Sequence, residues 1–239
     1  MAEGVAGDAA FPFNWRDRLV LALDLDDLDA ARRLAGLLRP YFSIVKVGLE
    51  LFSSVGPRAI EQMVTDGFEV FVDLKLHDIP TTVRHAARAI GRTGARYLTV
   101  HTAGGEEMCL AAVEGFVAGA KDVGAPFVPI ALGVTVLTSE KDVSEALLSS
   151  RARVASKAGC GGVVCAAPDL GVVRAAAPGL LCVVPGTRPE GLSTHDQARV
   201  ATPARALADG ASLLVIGRVV TAADDPLRAA EELALSLGV

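Results

Sequence analysis

The chain has 239 residues and a formal net charge of −5, and 51% of its residues are hydrophobic but only 5% aromatic. This length suits one large domain, and the composition supports a sizeable core of Val, Leu, Ile and Ala. No run of Lys or Arg suited to a phosphate backbone is present, so we expect no nucleic-acid partner. No apolar run reaches the ~18 residues of a membrane-spanning helix, so we expect no membrane partner.

The N-terminal segment, residues 1–15, reads MAEGVAGDAAFPFNW and lacks the basic start and long apolar centre of a signal peptide. We expect a loose tail there, ahead of a single catalytic domain over residues 16–239. The four cysteines stand in apolar surroundings without the spacing of a metal site, at Cys109, Cys160, Cys165 and Cys182. They are expected to be reduced core residues, which indicates a cytoplasmic protein.

Short apolar runs alternate along the chain with longer stretches that carry apolar residues at helical spacing. Eight short runs are predicted to be strands: residues 19–24 (LVLALD), 43–48 (SIVKVG), 70–75 (VFVDLK), 97–101 (YLTVH), 127–135 (FVPIALGVT), 161–166 (GGVVCA), 180–186 (LLCVVPG) and 212–218 (SLLVIGR). The clearest helical stretches are residues 27–38, 82–94, 105–120 and 225–238. In the last, Asp225 is a plausible cap and Pro226 takes the first helical position.

Strands that alternate with helices indicate right-handed βαβ units and a parallel sheet. Eight such units in a chain of this length predict an α/β fold, namely a single-domain (β/α)8 TIM barrel. An open doubly wound sheet is the alternative, but it usually has a Gly-rich phosphate turn after its first strand. Here the first strand runs into LDLDD, which lacks that turn.

Charged side chains gather at the predicted strand ends. Asp24 ends the first strand, Lys46 lies in the second, and Asp73 and Lys75 lie in the third. Because side chains alternate along a strand, Asp73 and Lys75 are predicted to face the same side, towards the barrel mouth. Partly buried charges are tolerated when paired, so we predict an alternating array of two acids and two bases. A salt-bridge layer that only stabilises the barrel is the alternative, but convergence on an open mouth favours chemistry.

Two arginines follow the last two predicted strands, Arg188 in PGTRPEG and Arg218 after Gly217 in IGR. This is the usual phosphate position of such barrels, where Gly permits close backbone approach and Arg binds oxygen in a bidentate manner. Each motif alone is typical of a solvated turn. Their combination at the seventh and eighth strands favours a phosphorylated substrate.

Other polar residues have competing interpretations. His101, in VHTAGGEE, could be a base, but a supporting histidine ahead of a helix is favoured. His77 lies beyond the strand, and we assign it no role. Asp78 and Thr82 flank a predicted helix start at Pro80, where capping is the alternative to a functional role.

The segment DLKLHDIPTT, residues 73–82, resembles the Asp-x-Lys-x-x-Asp-Ile-Pro-x-Thr signature of the orotidine 5′-phosphate decarboxylase family, especially its bacterial branch. Leu76 and Thr81 depart from the more usual Phe and Asn, and neither touches the expected chemistry. The resemblance runs from LVLALD to VIGR and includes, in the family's order, Asp24, Lys46, Thr138 in VTVLTS, Arg188, Gln197 in STHDQAR and Gly217–Arg218.

The resemblance implies decarboxylation of orotidine 5′-monophosphate to UMP and CO2, without a metal, a cofactor or a covalent intermediate. Lys75 would protonate C6 of the pyrimidine as CO2 leaves, with Asp73 beside the departing carboxylate. Lys46 and Asp24 would hold the ribose hydroxyls and keep the charges in order.

The family also implies a homodimer with shared active sites, in which Asp78 and Thr82 reach into the neighbouring subunit's site. Thr138 would contact the pyrimidine edge. The phosphate would be bound by the remaining residues, namely Arg188, Gln197 and Arg218, with Gly217 beside them.

Two alternatives stay open, a related enzyme and a protein of a different class. Related barrels that act on sugar phosphates, such as hexulose-phosphate synthase or ketogulonate-phosphate decarboxylase, share Asp-x-Lys-x-x-Asp but bind Mg²⁺ through extra acids. Glu50 offers such an acid, whereas Ile79-Pro80-x-Thr82 and Gln197 argue against this activity. A non-catalytic barrel that binds a nucleotide phosphate is the other alternative, and the intact charge array argues against it.

Overall fold

The computed structural model describes residues 15–140, 142–187 and 201–238. In this part of the chain the strands are β1 (Leu19–Leu23), β2 (Ile44–Val47), β3 (Glu69–Leu76), β4 (Tyr97–His101), β5 (Ile130–Val134), β6 (Gly162–Val164), β7 (Leu181–Pro185) and β8 (Leu213–Ile216). The α-helices are α1 (Leu28–Leu38), α2 (Leu49–Val55), α3 (Arg58–Thr65), α4 (Pro80–Gly91), α5 (Gly105–Asp122), α6 (Glu145–Lys157), α7 (Leu170–Ala176), α8 (Pro203–Ala208), α9 (Arg218–Thr221) and α10 (Pro226–Ser236).

The strands form a closed parallel barrel in sequence order. β1 pairs with β2, with Val20 opposite Ile44, and it also pairs with β8, with Leu19 opposite Leu214. Because the first and last strands pair, the sheet has no edge, and the open doubly wound alternative is wrong. The predicted single-domain (β/α)8 barrel is confirmed.

The observed strands lie inside the predicted apolar runs, apart from β3, which begins one residue earlier and ends one later. β5 begins at Ile130 rather than at residue 127. Pro129 precedes it and has no backbone N–H to give to a ladder, so a strand start beyond it is expected. Of the predicted tail, residues 1–14 lie outside the described residues. Trp15 begins a 3-10 helix, and its ring lies 6.1 Å from that of Tyr41.

Alternate strand residues pack into two separate cores. Val20, Ala22 and Phe71 face the barrel interior, within a small cluster. Leu19, Leu21 and Leu23 face outwards and join the larger core between the sheet and the helices. Burial on both faces explains why the strand sequences are continuous apolar runs instead of alternating ones.

Polar residues set several helix starts. Asp27 caps α1 by accepting a hydrogen bond from the Ala30 amide, and Asp225 caps α10 through the Arg228 amide. Pro226 follows at the start of α10, as predicted from the sequence. The Asp27 cap begins α1 shortly after β1 and Asp24.

Helices α4 and α5 pack closely because glycines lie at their contact. A Cβ added to Gly115 or Gly119 would lie well inside 3.0 Å of the Arg84 or Arg88 carbonyl oxygen of α4. Ion pairs flank the contact, including those from Arg88 and Arg92 to Asp122. These guanidinium groups lower the pKa of Asp122 to about 2.

A Gly119→Ala variant is expected to be less stable than wild type by about 2 kcal/mol or more, because the new methyl group must push α4 away. Gly36→Ala is a matched control, since Gly36 also lies inside a helix but a Cβ there has no neighbour within 4 Å. The control should be stabilising by up to about 1 kcal/mol. Urea unfolding measures both, and equal stabilities of Gly119→Ala and wild type would contradict this contact.

All four cysteines are free and buried, as predicted. Burial raises the pKa of the Cys109 thiol to about 11 and that of Cys160 to about 12. Both are therefore protonated and unreactive at neutral pH.

Candidate active site

The four predicted charges meet at the carboxyl ends of β1, β2 and β3. Lys46 Nζ lies 2.9 Å from Asp24 Oδ1 and 3.8 Å from Asp73 Oδ2. Lys75 Nζ lies 2.8 Å from Asp73 Oδ1. The order Asp24, Lys46, Asp73, Lys75 alternates acid and base along a continuous chain of ion pairs. The spatial array predicted from the sequence is present.

The array is graded in its exposure to solvent. The side chain of Lys46 is only 10% exposed and that of Asp73 17%, whereas Lys75 is 32% and Asp24 51% exposed. Each of the two more buried groups has opposite charges as neighbours, which offsets the cost of removing it from water. Lys75 is held on one side by Asp73 and remains accessible from the mouth.

As predicted, Asp73 and Lys75 face the barrel mouth together, whereas Leu74 and Leu76 pack against the outer core. The pairing of β3 with β4 is regular up to Val72–Leu98 and resumes at Leu76–Val100, with a register shift between them. Lys75 has φ +51° within this bulge, where a regular strand residue would have a negative φ. β-Bulges are common beside active sites.

The charge array forms one wall of a cavity of about 350 Å³ at the barrel mouth. Its apolar floor includes Phe71, Val164 and Val215. The cavity has the size and mixed lining of a small-molecule site. Charged groups of β1–β3 thus face the ends of β5–β8 across the cavity.

Three of the other predicted site residues line the same cavity: Thr138 after β5, and Gly217 and Arg218 after β8. Arg188 and Gln197, predicted phosphate ligands, lie outside the described residues. Gly186 and Thr187, which follow β7 and directly precede Arg188 in the chain, line the same cavity.

Asp78 and Thr82 do not line the cavity, and both are exposed. Neither caps α4, because its N-cap is Ile79 without a side-chain hydrogen bond, and Pro80 starts the helix. The Asp78 carboxylate instead accepts a hydrogen bond from the Ile79 amide at 2.7 Å. The capping alternative is therefore wrong for both residues.

His77 and His101 stack at 5.3 Å between ring centroids. His101 Nδ1 accepts a hydrogen bond from the Ala103 amide and so caps the short 3-10 helix Thr102–Gly104. Burial lowers the pKa of His101, and electrostatic interactions with His77 and Arg151 act in the same direction. Neither histidine lines the cavity, which favours the supporting interpretation of His101.

Sequence reasoning missed Thr99, which is fully buried within β4. Its hydroxyl contacts both Asp73 and the backbone of Lys75. It also missed three apolar residues that line the cavity, Val134, Val136 and Leu137. A threonine within the apolar run YLTV was the available signal for Thr99, since a buried hydroxyl needs a partner.

No group of three or more His, Cys, Asp or Glu side chains suited to a metal ion occurs among residues 15–140, 142–187 and 201–238. Within the same ranges, no helix is both long and apolar enough to cross a membrane.

The fold and the site together define a (β/α)8 barrel with a small-molecule site of paired lysines and aspartates at its strand ends. The chain belongs to the orotidine 5′-phosphate decarboxylase / HUMPS family, whose model matches residues 17–233. The predicted family resemblance is confirmed.

Similar proteins cover nearly the whole chain. It is 45% identical to the orotidine 5′-phosphate decarboxylase of Anaeromyxobacter sp. (strain K), over 92% of this chain and 98% of that protein. It is 43% identical to the enzyme of that name from Moorella thermoacetica, over 93% of this chain and 92% of that protein. The crystal structure of orotidine 5′-phosphate decarboxylase from Lactobacillus acidophilus superposes with a TM-score of 0.78 at 33% identity, covering 93% of this chain and 100% of that chain.

Proposed function

We propose that this protein is a carboxy-lyase that converts orotidine 5′-monophosphate to UMP and CO2 in pyrimidine biosynthesis. The observation that carries the proposal is the chain of ion pairs from Asp24 through Lys46 and Asp73 to Lys75, on one wall of the mouth cavity. The similarity to proteins named for this activity supports it.

Decarboxylation requires a cation beside C6 of the pyrimidine. When the bond between C6 and the carboxylate carbon breaks, CO2 leaves and the electron pair stays on C6, which has no adjacent electron sink. The Lys75 ammonium stabilises that pair and then transfers a proton to C6, forming the C6–H bond of UMP. Solvent returns a proton to the Lys75 amine. No metal or cofactor takes part in the proposed steps.

Asp73 has two functions in this scheme. Its Oδ1 atom lies 2.8 Å from Lys75 Nζ, so it favours the charged form of the lysine and fixes its direction. It also lies beside the departing carboxylate. Lys46, an inner member of the array, and Asp24, its exposed end, lie 2.9 Å apart and bind the ribose hydroxyls.

The pyrimidine edge and the phosphate of the substrate bind to residues on the other side of the cavity, opposite the charge array. Thr138 contacts the pyrimidine edge, and Gly217 and Arg218 contact the phosphate; all three line the cavity. Arg188 and Gln197, outside the described part of the chain, complete the phosphate site. Binding energy from this remote group holds the pyrimidine against Lys75 and so supports the chemical step.

We further propose that residues 16–239 form the catalytic domain of a cytoplasmic homodimer with shared sites. Asp78 and Thr82 are exposed and do not line their own subunit's cavity, and the Ile79 side chain between them is 66% exposed. An apolar side chain beside a carboxylate at the barrel mouth suits contact with a second subunit, where Asp78 and Thr82 reach the partner's substrate.

Mixing two inactive variants tests the shared sites. Lys75→Ala and Asp78→Ala are each expected to be inactive, but one site of each heterodimer would have both residues intact. After equal mixing and subunit exchange, about one quarter of the sites should regain activity. Lys75→Ala mixed with Asp73→Ala is the matched control, because both residues serve the same subunit's site and no site is restored. Absence of recovery in the first mixture, despite exchange, would contradict the shared site.

The activity itself is tested by following the ultraviolet absorbance of orotidine 5′-monophosphate with purified protein, before and after treatment with EDTA. We expect equal turnover in both samples. Unchanged absorbance would refute the decarboxylase proposal. Turnover that is lost on chelation and restored by Mg²⁺ would refute the metal-free scheme.

A further inference from the structure

The pairing between β3 and β4 is interrupted where the two reactive charges lie. Val72 pairs with Leu98 and Leu76 pairs with Val100, so the three residues 73–75 of β3 lie opposite one residue of β4, Thr99. Extra residues in a strand leave backbone groups without ladder partners. A buried N–H group in such a bulge needs another acceptor.

Thr99 supplies that acceptor through its side chain. Its Oγ1 atom accepts a hydrogen bond from the Lys75 N–H at 2.8 Å and lies 3.1 Å from Asp73 Oδ1. A hydroxyl has one proton and two acceptor lone pairs, so it can accept from Lys75 and donate to Asp73 at once. The Val72 carbonyl, at 3.5 Å, is a weaker alternative acceptor for the same proton. One buried hydroxyl therefore links the backbone of the lysine to the carboxylate of the aspartate.

The linked backbone is strained. Lys75, with φ +51°, is the sole non-glycine residue with a positive φ in the described ranges. Such a conformation is unfavourable for a residue with a Cβ and persists only where its surroundings hold it. The hydrogen bond from Thr99 falls on the amide of this same residue.

We propose that Thr99 is a positioning residue that sets the Asp73–Lys75 pair. It holds the left-handed backbone that aims Lys75 and orients the carboxylate that receives the ammonium group. Thr99 is fully buried and does not line the cavity, so it acts through its two partners without touching the substrate. The expected effect of Thr99 on turnover rests on the proposed function, whereas its expected effect on the positions of Asp73 and Lys75 does not.

The test compares Thr99→Val, which keeps the shape but removes the hydroxyl, with Thr99→Ser, which keeps the hydroxyl. Thr102→Val is the matched control, because Thr102 is also fully buried and its hydroxyl binds only a backbone carbonyl, that of Val134. Misplacement of a reacting group by about 1 Å lowers turnover by about 10²-fold. We expect Thr99→Val to lower kcat about 10- to 100-fold with KM within about threefold of wild type.

Thr99→Ser should keep kcat within about threefold of wild type, and so should Thr102→Val. If Thr99→Val does not fold, Thr99→Ala replaces it and the same contrast with Thr99→Ser is expected. The proposal is overturned by a wild-type kcat without the hydroxyl, by equal losses in the Ser and Val variants, or by an equal loss in the Thr102 control.

Crystal structures of wild type and Thr99→Val separate this inference from the proposed function. If wild type does not turn over orotidine 5′-monophosphate, the proposed function fails, but the geometric prediction still holds or fails by itself. We expect Lys75 in the variant to leave the positive-φ region or to lose its 2.8 Å contact with Asp73. A variant that retains both features overturns the inference.

Discussion

A Lys75→Ala variant is expected to fold and to lose turnover of orotidine 5′-monophosphate by about 10⁴-fold or more. The variant lacks both the cation that stabilises the electron pair on C6 and the proton that C6 receives. Asp73 keeps Lys46 and Thr99 as partners, at 3.8 Å and 3.1 Å, so the remaining array stays paired. Steady-state kinetics should show the loss mainly in kcat.

Lys157→Ala is the matched control for this variant, since Lys157 is an exposed lysine at the end of α6. It should keep wild-type kinetics. Circular dichroism and thermal unfolding establish that both variants are folded. Turnover by Lys75→Ala within tenfold of wild type would remove Lys75 as the proton donor.

An Asp73→Asn variant is expected to lose turnover by about 10³-fold, although the side chain keeps its size. Asp73 is the anion between two lysines, Lys46 and Lys75. Without its charge, the two ammonium groups repel each other and Lys75 loses the group that directs it. Removing one partner of a largely buried ion pair should also destabilise the fold, here by about 1–3 kcal/mol.

Asp209→Asn provides the control for loss of a carboxylate charge. Asp209 pairs with Arg205 at 2.8 Å on the exposed face of α8, where such a pair contributes little to stability. It should retain full activity and nearly full stability. If Asp73→Asn behaves like this control in both measurements, the array does not serve the chemistry.

The barrel could be predicted from the sequence because its signals are local and repeated. Runs such as LVLALD and YLTVH are buried on both faces, so they are apolar throughout, and the stretches between them have helical spacing. Strand ends are harder to predict, because residues such as Phe127 and Val128 extend an apolar run ahead of Ile130, the first paired residue of β5.

The membership of the charge array could also be predicted, since polar residues are sparse in these strands and each falls near a carboxyl end. The backbone conformation of Lys75 could not be predicted from the sequence. Its positive φ depends on a register shift between two strands, and that shift is a tertiary feature. Thr99 was missed for the same reason, because its two partners lie 24 and 26 residues away in the chain.

Proton NMR of wild-type protein with orotidine 5′-monophosphate in D2O tests the central claim most directly. Because the proton that Lys75 transfers exchanges with solvent, we predict that the substrate disappears and that UMP appears with deuterium at C6. One CO2 should be released for each UMP formed. Substrate that stays unchanged, or UMP that carries a protium at C6, would contradict the account.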